Sequence, residues 1–489
     1  MARILSLLIL INFLCLSQGA SLAARDFLRG DINEDGSVNI ADGVNMLDYM
    51  FISGFTYCVD AHDIDDDGQV NVTDAINLFG YLFTGGGAPA APFTVCGPDP
   101  TADNLGCDSY ATCNVGDAIP GLDPATFESF VRGRELTAKQ FSPEEGLGPF
   151  YNAVSCASCH STPATGGSAP LYRNFFFAAV GQMGSQSPIW DPPGVPSIVM
   201  PSYTYPFGPR PAFPDPPQVG NQPVTIAQRN APPGFGVGLF EQVSNQEIAS
   251  RADPADSDGD GISGRFNTDG QGNMGRFGYK SQANFLEAFL RGAINNQMGI
   301  TTDPFYGSSG IVSTGFMQVG ASFDNPTTDN DPVPDPEISV VDFGDIVIFS
   351  QFVAPPPTGE MGSEELLGEQ IFSDLGCVKC HVPEIQSNYG PLSAYSDLLL
   401  HDMGPELADG ISMGMPQFSP ISPNTTGSEF RTQPLWGVSL HGPWLHDGRA
   451  DSLHDAIILH GGEAQSIREA YEALPAAEQE AVIRFLEAL

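Results

Sequence analysis

Apolar positions along this chain come in short, separated bursts rather than one continuous periodic array. The longest uninterrupted run, Ile4 to Leu16, follows Arg3 and leads to Ser21-Leu22-Ala23. That is the layout of a signal peptide spanning residues 1–23, and its core is too short to be a membrane span. The chain is therefore expected to be exported, to the periplasm or outside the cell, with no membrane span. Two further bursts, Val44 to Phe51 and Ala75 to Phe83, are spaced like helices, and each follows an acidic loop. Helix-like stretches also cover Pro124 to Phe141 and Ser363 to Phe372. The chain ends on an amphipathic helix with Val482, Phe485, Leu486 and Leu489 on one face. Aperiodic segments lie between them: 84–124, rich in Gly, Pro and Ala; 185–235, with 14 prolines; and the acidic 324–337. A proline-rich loop of that length inside a compact domain reads as a covering over a cofactor.

Composition narrows the partners. The 489 residues carry 59 acids against 19 bases, a formal charge of −40, although only 16% of residues are charged. Such a surface repels nucleic acid and anionic lipid. At 41% hydrophobic the chain can still bury cores, and its length predicts two to four domains. Cys15 would leave with the leader. Cys58, Cys96, Cys107 and Cys113 lack metal-site spacing and predict two disulfides in an oxidising compartment, with three connectivities open.

The acidic loops are an internal repeat. Asp31, Asn33, Asp35, Gly36, Ser37 and Asp42 in the first copy match Asp63, Asp65, Asp67, Gly68, Gln69 and Asp74 in the second. Side-chain oxygens at alternate positions, a Gly turn and a carboxylate at position 12 make an EF-hand-type calcium loop. With Asp at position 12 and Val-Asn at 8 and 9, residues 25–83 resemble a type I dockerin. The resemblance implies bound Ca²⁺ and a cohesin-like docking partner. A third acidic loop, Asp256, Asp258 and Asp260 before Gly261, reads as another Ca²⁺ site.

The redox signal lies in Cys156-Ala-Ser-Cys159-His160 and Cys377-Val-Lys-Cys380-His381. Two thiols three residues apart reach both vinyl groups of one porphyrin, and the adjacent His enters the iron from one face. A shared zinc site would not need His after each pair, and the βαβ context of a thioredoxin-like redox pair is absent. The reading is two covalently bound haem c groups with His160 and His381 as proximal ligands.

Residues from about 125 to 489 resemble the di-haem oxidoreductase family, relatives of the bacterial di-haem cytochrome c peroxidases and of MauG. The matching stretches include Phe150-Tyr151-Asn152, Gly275-Arg276-Phe277-Gly278-Tyr279-Lys280, Met298-Gly299-Ile300-Thr301, Tyr395-Ser396-Asp397, His401-Asp402-Met403-Gly404 and Leu445-His446-Asp447-Gly448-Arg449. The expected fold is mainly α: two tandem cytochrome c-like haem domains with long loops (125–350 and 351–489), preceded by a disulfide-stapled linker (84–124) and the EF-hand-like module.

No His lies between His160 and His381, so the first haem is open or takes Met183, Met298 or a Tyr, and is favoured as the site of peroxide chemistry. For the second haem the resemblance places the distal ligand at His460, with Met403 as rival; His446 and His401 are read as supporting residues. Gln297 and Tyr279 stand where the family carries an acid and a Trp, and Phe289 where a Gln is common. Gln297, Glu287 and Tyr279 are the candidate catalytic residues, and Glu241 is a further candidate acid. The expected function is peroxidase-like, with electrons passing from the C-terminal to the N-terminal haem to reduce peroxide or a related oxidant. A small basic electron carrier such as a cytochrome c is the expected donor. The alternatives are a non-catalytic cytochrome tethered through the dockerin-like module, or MauG-like oxidation of an organic or protein substrate.

Overall fold

The computed structural model describes residues 25–489 except 35–37, 53, 102, 183–185, 189–198, 205–217, 270–271, 303–305, 308–309, 312–330, 360 and 415–424. The leader (1–23), Asp35, Ser37 and Met183 therefore lie outside the described residues. The chain divides into two compact units, Met1–Tyr110 and Ala111–Leu489.

In the first unit, helices α1 (Ile40–Phe51) and α2 (Val72–Thr84) follow the two acidic loops. Asn39 and Asn71 cap them, and Asp42 and Asp74 return hydrogen bonds to the cap backbones. The helices meet where the Phe79 ring covers Gly43, leaving no space for a side chain there. Ile32, Met46, Ile64, Ala75 and Leu78 form the core. Residues 84–110, expected as part of a linker, pack within this unit. Ala90 N–H donates to the Ile64 carbonyl and Arg29 N–H to that of Pro92. A disulfide joins Cys58 to Cys107, and Cys96 is also disulfide-bonded.

The second unit contains α3 (Pro124–Ala138), the short α4 (Asn245–Ala249), α5 (Leu286–Met298), α6 (Val340–Phe352), α7 (Ser363–Leu375), α8 (Leu453–Ile458), α9 (Gln465–Glu472) and α10 (Ala476–Ala488). Asp123 caps α3, whose first residue is Pro124. Two helix pairs repeat one device. Gly133 of α3 lies against the Asp345 carbonyl and the Phe349 side chain of α6, and Gly368 of α7 lies against the Ala481 carbonyl and the Phe485 side chain of α10. A Cβ at either glycine would collide with backbone. Helix α10 buries Val482, Phe485 and Leu486, with the chain end Leu489 buried beside them.

The chain holds both helices and sheets, and the sheets are what the mainly α expectation did not include. Phe175–Val180 pairs antiparallel with Gln222–Arg229, and with Ser187–Pro188, Val199–Met200 and Gln218–Val219 they make a five-stranded sheet. Phe177 and Ala179 pack on Ile411 and Met413 on one side, and Ala178 on Val224 and Met200 on the other. Burial on both faces removes the polar alternation that would have marked these strands. A smaller pair, Leu400–Asp402 with Glu429–Arg431, sets His401 opposite Phe430.

Candidate functional site

Both CxxCH motifs are built alike. Each opens with a short 3₁₀ turn, Cys156–Ser158 and Cys377–Lys379. The histidine N–H then donates back to the carbonyl of the first cysteine, at 3.0 Å for His160 and 2.9 Å for His381. The ring of His160 meets the Gly167 carbonyl through Nδ1 at 2.9 Å, and that of His381 meets the Tyr395 carbonyl at 2.9 Å. A carbonyl only accepts, so each Nδ1 carries the proton and each Nε2 keeps a lone pair for a metal. Burial lowers the pKa of both rings, that of His381 to about 4, which favours the neutral, ligating form. All four motif cysteines are free thiols. Burial pushes Cys156 up to about 11 and Cys377 to about 12.

Around the second motif lies an apolar cavity of about 250 Å³, lined by Cys377, Cys380, His381, Met403, Leu407, Ile457 and His460. His460 donates from Nδ1 to the Ala456 carbonyl at 2.7 Å, so its Nε2 is also free of hydrogen. His460 lines the same cavity as His381 and lowers the pKa of His381, second only to burial. Two thiols and two lone-pair imidazoles facing one apolar cavity suit a covalently held, doubly ligated haem. Met403 lines the same cavity.

The other histidines are differently placed. His401 is clasped between Asp397, 2.8 Å from Nε2, and Glu463, 2.9 Å from Nδ1. Burial opposes its protonation, but the Asp397 charge holds its pKa well above the usual range. It is an ion-paired brace rather than a ligand. His446 stacks on Phe430 with centroids 4.1 Å apart, and Tyr279 approaches it edge-on at 6.4 Å. His441 faces the cavity, and its buried Nδ1 has no hydrogen-bond partner among the described residues.

The cavity wall continues through Tyr279, Phe430 and His446 to Asn230 and Ser168, and Ser168 adjoins Gly167, whose carbonyl accepts from the His160 ring. An aromatic wall thus runs from one motif's cavity to the other motif's histidine. Beneath it Lys280, fully buried, sits 3.8 Å above the Phe430 ring and donates to the carbonyls of Thr426, Gly427 and Glu429. Asp409 pairs with both Lys280 and Arg229. Sequence reasoning quoted this lysine within a family-like stretch but gave it no role; its being one of only three lysines in the chain was the available signal.

Of the candidate catalytic residues, Tyr279 lies in the aromatic wall. Gln297 accepts from Asn152 Nδ2 at 3.0 Å and so braces the loop that enters Cys156. Glu287 is spent on Arg291, one turn along α5, at 2.8 Å. Glu241 accepts from the Leu286 N–H at the start of α5 and from Gln351. Met298 is buried in the core cluster against which Cys156 packs.

The second acidic loop gathers Asp63, Asp65 and Asp74, with carboxylate oxygens within 4.8 Å of one another, and Asp256, Asp258 and Asp260 do the same. Asp67 turns its carboxylate to the Gln69 N–H instead. In the first loop Asp42 accepts from the N–H groups of Ile32, Asn33 and Asn39, and Tyr110 donates to Asp31. Asp260 also pairs at 3.0 Å with Lys379, inside the second haem motif.

Residues 217–489 match the family model described as "Di-haem oxidoreductase, putative peroxidase". No curated protein matches the chain. Among solved structures, a MauG-like protein associated with microbial copper homeostasis is 16% identical over 74% of this chain and 88% of that one, with a TM-score of 0.31. Hydrazine synthase of Kuenenia stuttgartiensis is 19% identical over 32% of this chain, with a TM-score of 0.23. The match spans 58% of the length of that hydrazine synthase chain.

Proposed function

This chain belongs to the di-haem oxidoreductase family, and on that premise we propose an exported, peroxidase-like c-type oxidoreductase with two unequal haem sites. Cys377, Cys380 and His381, with His460 opposite, would hold the haem at which electrons enter. Cys156, Cys159 and His160 would hold the haem at which peroxide or a related oxidant is reduced. Bound haem supplies one-electron exchange and, where an axial position is free, an iron able to bind oxidant. Reduction of hydrogen peroxide to two waters takes two electrons and two protons, the electrons coming from a small basic carrier such as a cytochrome c.

The observation that carries this reading is the asymmetry of the two histidines. His381 has His460 beside it across an apolar cavity with both Nδ1 atoms committed, whereas His160 has no second histidine nearby in sequence. Tyr279, Phe430 and His446 would line the space between the two sites with aromatic rings. Gln297 and Asn152 hold the loop that presents Cys156. Ca²⁺ at Asp256, Asp258 and Asp260 would fix the loop tied through Lys379 to the second motif.

The test is a spectrum of the purified protein, oxidised and reduced, with and without cyanide. One haem should remain low-spin throughout and the other should bind cyanide in at least one redox state. If neither becomes ligand-accessible in any redox form, peroxidase chemistry is excluded and the tethered electron-transfer reading takes its place. Steady-state peroxide reduction with a small cytochrome c then separates peroxidase from MauG-like oxidation of an organic or protein substrate.

The tethering component has its own support. Ile40, Val44, Leu47 and Phe51 on α1 are exposed, as are Val72, Ile76 and Phe83 at the equivalent positions of α2. A duplicated exposed apolar stripe suits docking of a cohesin-like module.

A further inference from the structure

The first unit gathers acids that the loop repeat does not account for. Asp60 precedes the second loop, while Asp99 and Asp103 come from the segment expected to be a linker. One carboxylate oxygen from each lies within 4.8 Å of the others. Asp63, Asp66 and Asp103 form a second such group alongside. The segment carrying Asp103 lies over the turn of the second loop, since a Cβ at Gly68 would be 3.3 Å from that of Asp103.

One cation already serves part of this cluster. Arg29, fully buried, donates to Asp66 Oδ1 at 2.9 Å and to Asp99 Oδ1 at 2.8 Å. Its remaining donors go to the backbone carbonyls of Asp60, Asp63 and Ala91. Asp103 accepts from the Leu105 N–H, and Thr101 donates to Asp66 and Asp99. Asp60 is 5% exposed, yet no described donor is hydrogen-bonded to its side chain, which faces Asp99 and Asp103. A buried carboxylate without donors, among like charges, costs free energy unless it is protonated or meets a cation. Burial first, then Asp99 and Asp103, raise its pKa to about 6, which still leaves it largely ionised at neutral pH.

We propose that Asp60, Asp99 and Asp103 form a further divalent-cation site, for Ca²⁺, distinct from the three acidic loops and clamping Asp99 and Asp103 onto the second loop. Oxygens no more than 4.8 Å apart can close on one ion with small side-chain rotations, since Ca²⁺–oxygen distances run from about 2.3 to 2.6 Å. Ligands drawn from two separate segments, with irregular geometry and access to water, suit Ca²⁺ better than the strict octahedron of Mg²⁺.

The test is native mass spectrometry of the full haem-loaded chain, stripped with chelator and titrated with CaCl₂. Asp103 is exposed, so Asp103→Asn leaves the fold intact, and Asp60→Asn is isosteric. Each should bind one Ca²⁺ fewer than wild type, while the exposed control Asp108→Asn keeps the full count. Asp65→Asn reports separately on the second loop. Combining it with Asp103→Asn should remove one ion more than Asp65→Asn alone. If Asp60→Asn and Asp103→Asn keep the wild-type count, or if the double variant matches Asp65→Asn, the site is overturned. If only Asp65→Asn fails to lose an ion, the loop reading falls and this site stands.

Discussion

A single hydrogen position decides what each histidine can do. His160, His381 and His460 give the Nδ1 hydrogen to a backbone carbonyl and keep Nε2 bare, whereas His401 has a carboxylate at each nitrogen. Replacing His460 with Met should therefore preserve haem attachment but raise the potential of the second haem and add a sulfur–iron charge-transfer band. Met403→Leu should leave the spectrum unchanged. If the band disappears from wild type only in Met403→Leu, the assignment is reversed. A second residue-scale prediction concerns Glu337. Burial pushes its carboxyl up to about 7; Thr301 bonds act against this, and a hydrogen bond with Asp335 adds to it. The folded state then binds the proton more tightly than the unfolded chain. Its stabilising effect is complete below about pH 4.5 and is lost as pH rises through about 7. Glu337→Gln, which mimics the protonated form, should flatten that slope by on the order of 1–2 kcal/mol in urea unfolding between pH 4.5 and 8. The CxxCH histidines were legible because their chemistry is local. The clasp on His401 was not, because Glu463 lies 62 residues away.

At the scale of elements, two glycines set the helix crossings on which the two haem motifs rest. Gly133→Ala would drive a methyl into the Asp345 carbonyl, and Gly368→Ala one into that of Ala481. Each should cost about 1–3 kcal/mol and lower the thermal midpoint. Gly344, also helical but with nothing near its missing Cβ, is the control, and Gly344→Ala should stabilise by roughly 0.5–1 kcal/mol. Helix α10 was readable because its apolar residues recur at helical spacing against one neighbour. The five-stranded sheet was not. Phe175–Val180 is an unbroken apolar run, which periodicity alone assigns to neither helix nor strand. Its longest partner, Gln222–Arg229, lies inside the proline-rich 185–235 stretch, which reads as loop. The candidate site shows the same division. The thiols and histidines of the motifs announce themselves in sequence, whereas the wall of Tyr279, Phe430 and His446 exists only once distant segments are brought together.

For the whole molecule, 59 acids against 19 bases leave a surface on which cations are scarce. Arg29, Arg229, Arg265, Arg276, Lys280, Arg291 and Arg431 are all buried. These cations brace carbonyls and carboxylates inside the fold, so few remain to offset the acids outside. Bound Ca²⁺ would neutralise some of that charge, but only locally. A protein donor delivering electrons to such a surface should be steered by opposite charge, and screening should weaken the encounter. With a basic cytochrome c as donor, kcat/KM should fall about tenfold between roughly 20 and 300 mM ionic strength, chiefly through slower association. A small uncharged reductant should show no such slope, because nothing in its approach depends on the field. An acidic carrier protein should instead start slow and speed up with salt. If the basic and acidic donors respond to salt alike, the acidic surface has no part in electron entry, and the donor docks through contacts that do not depend on charge.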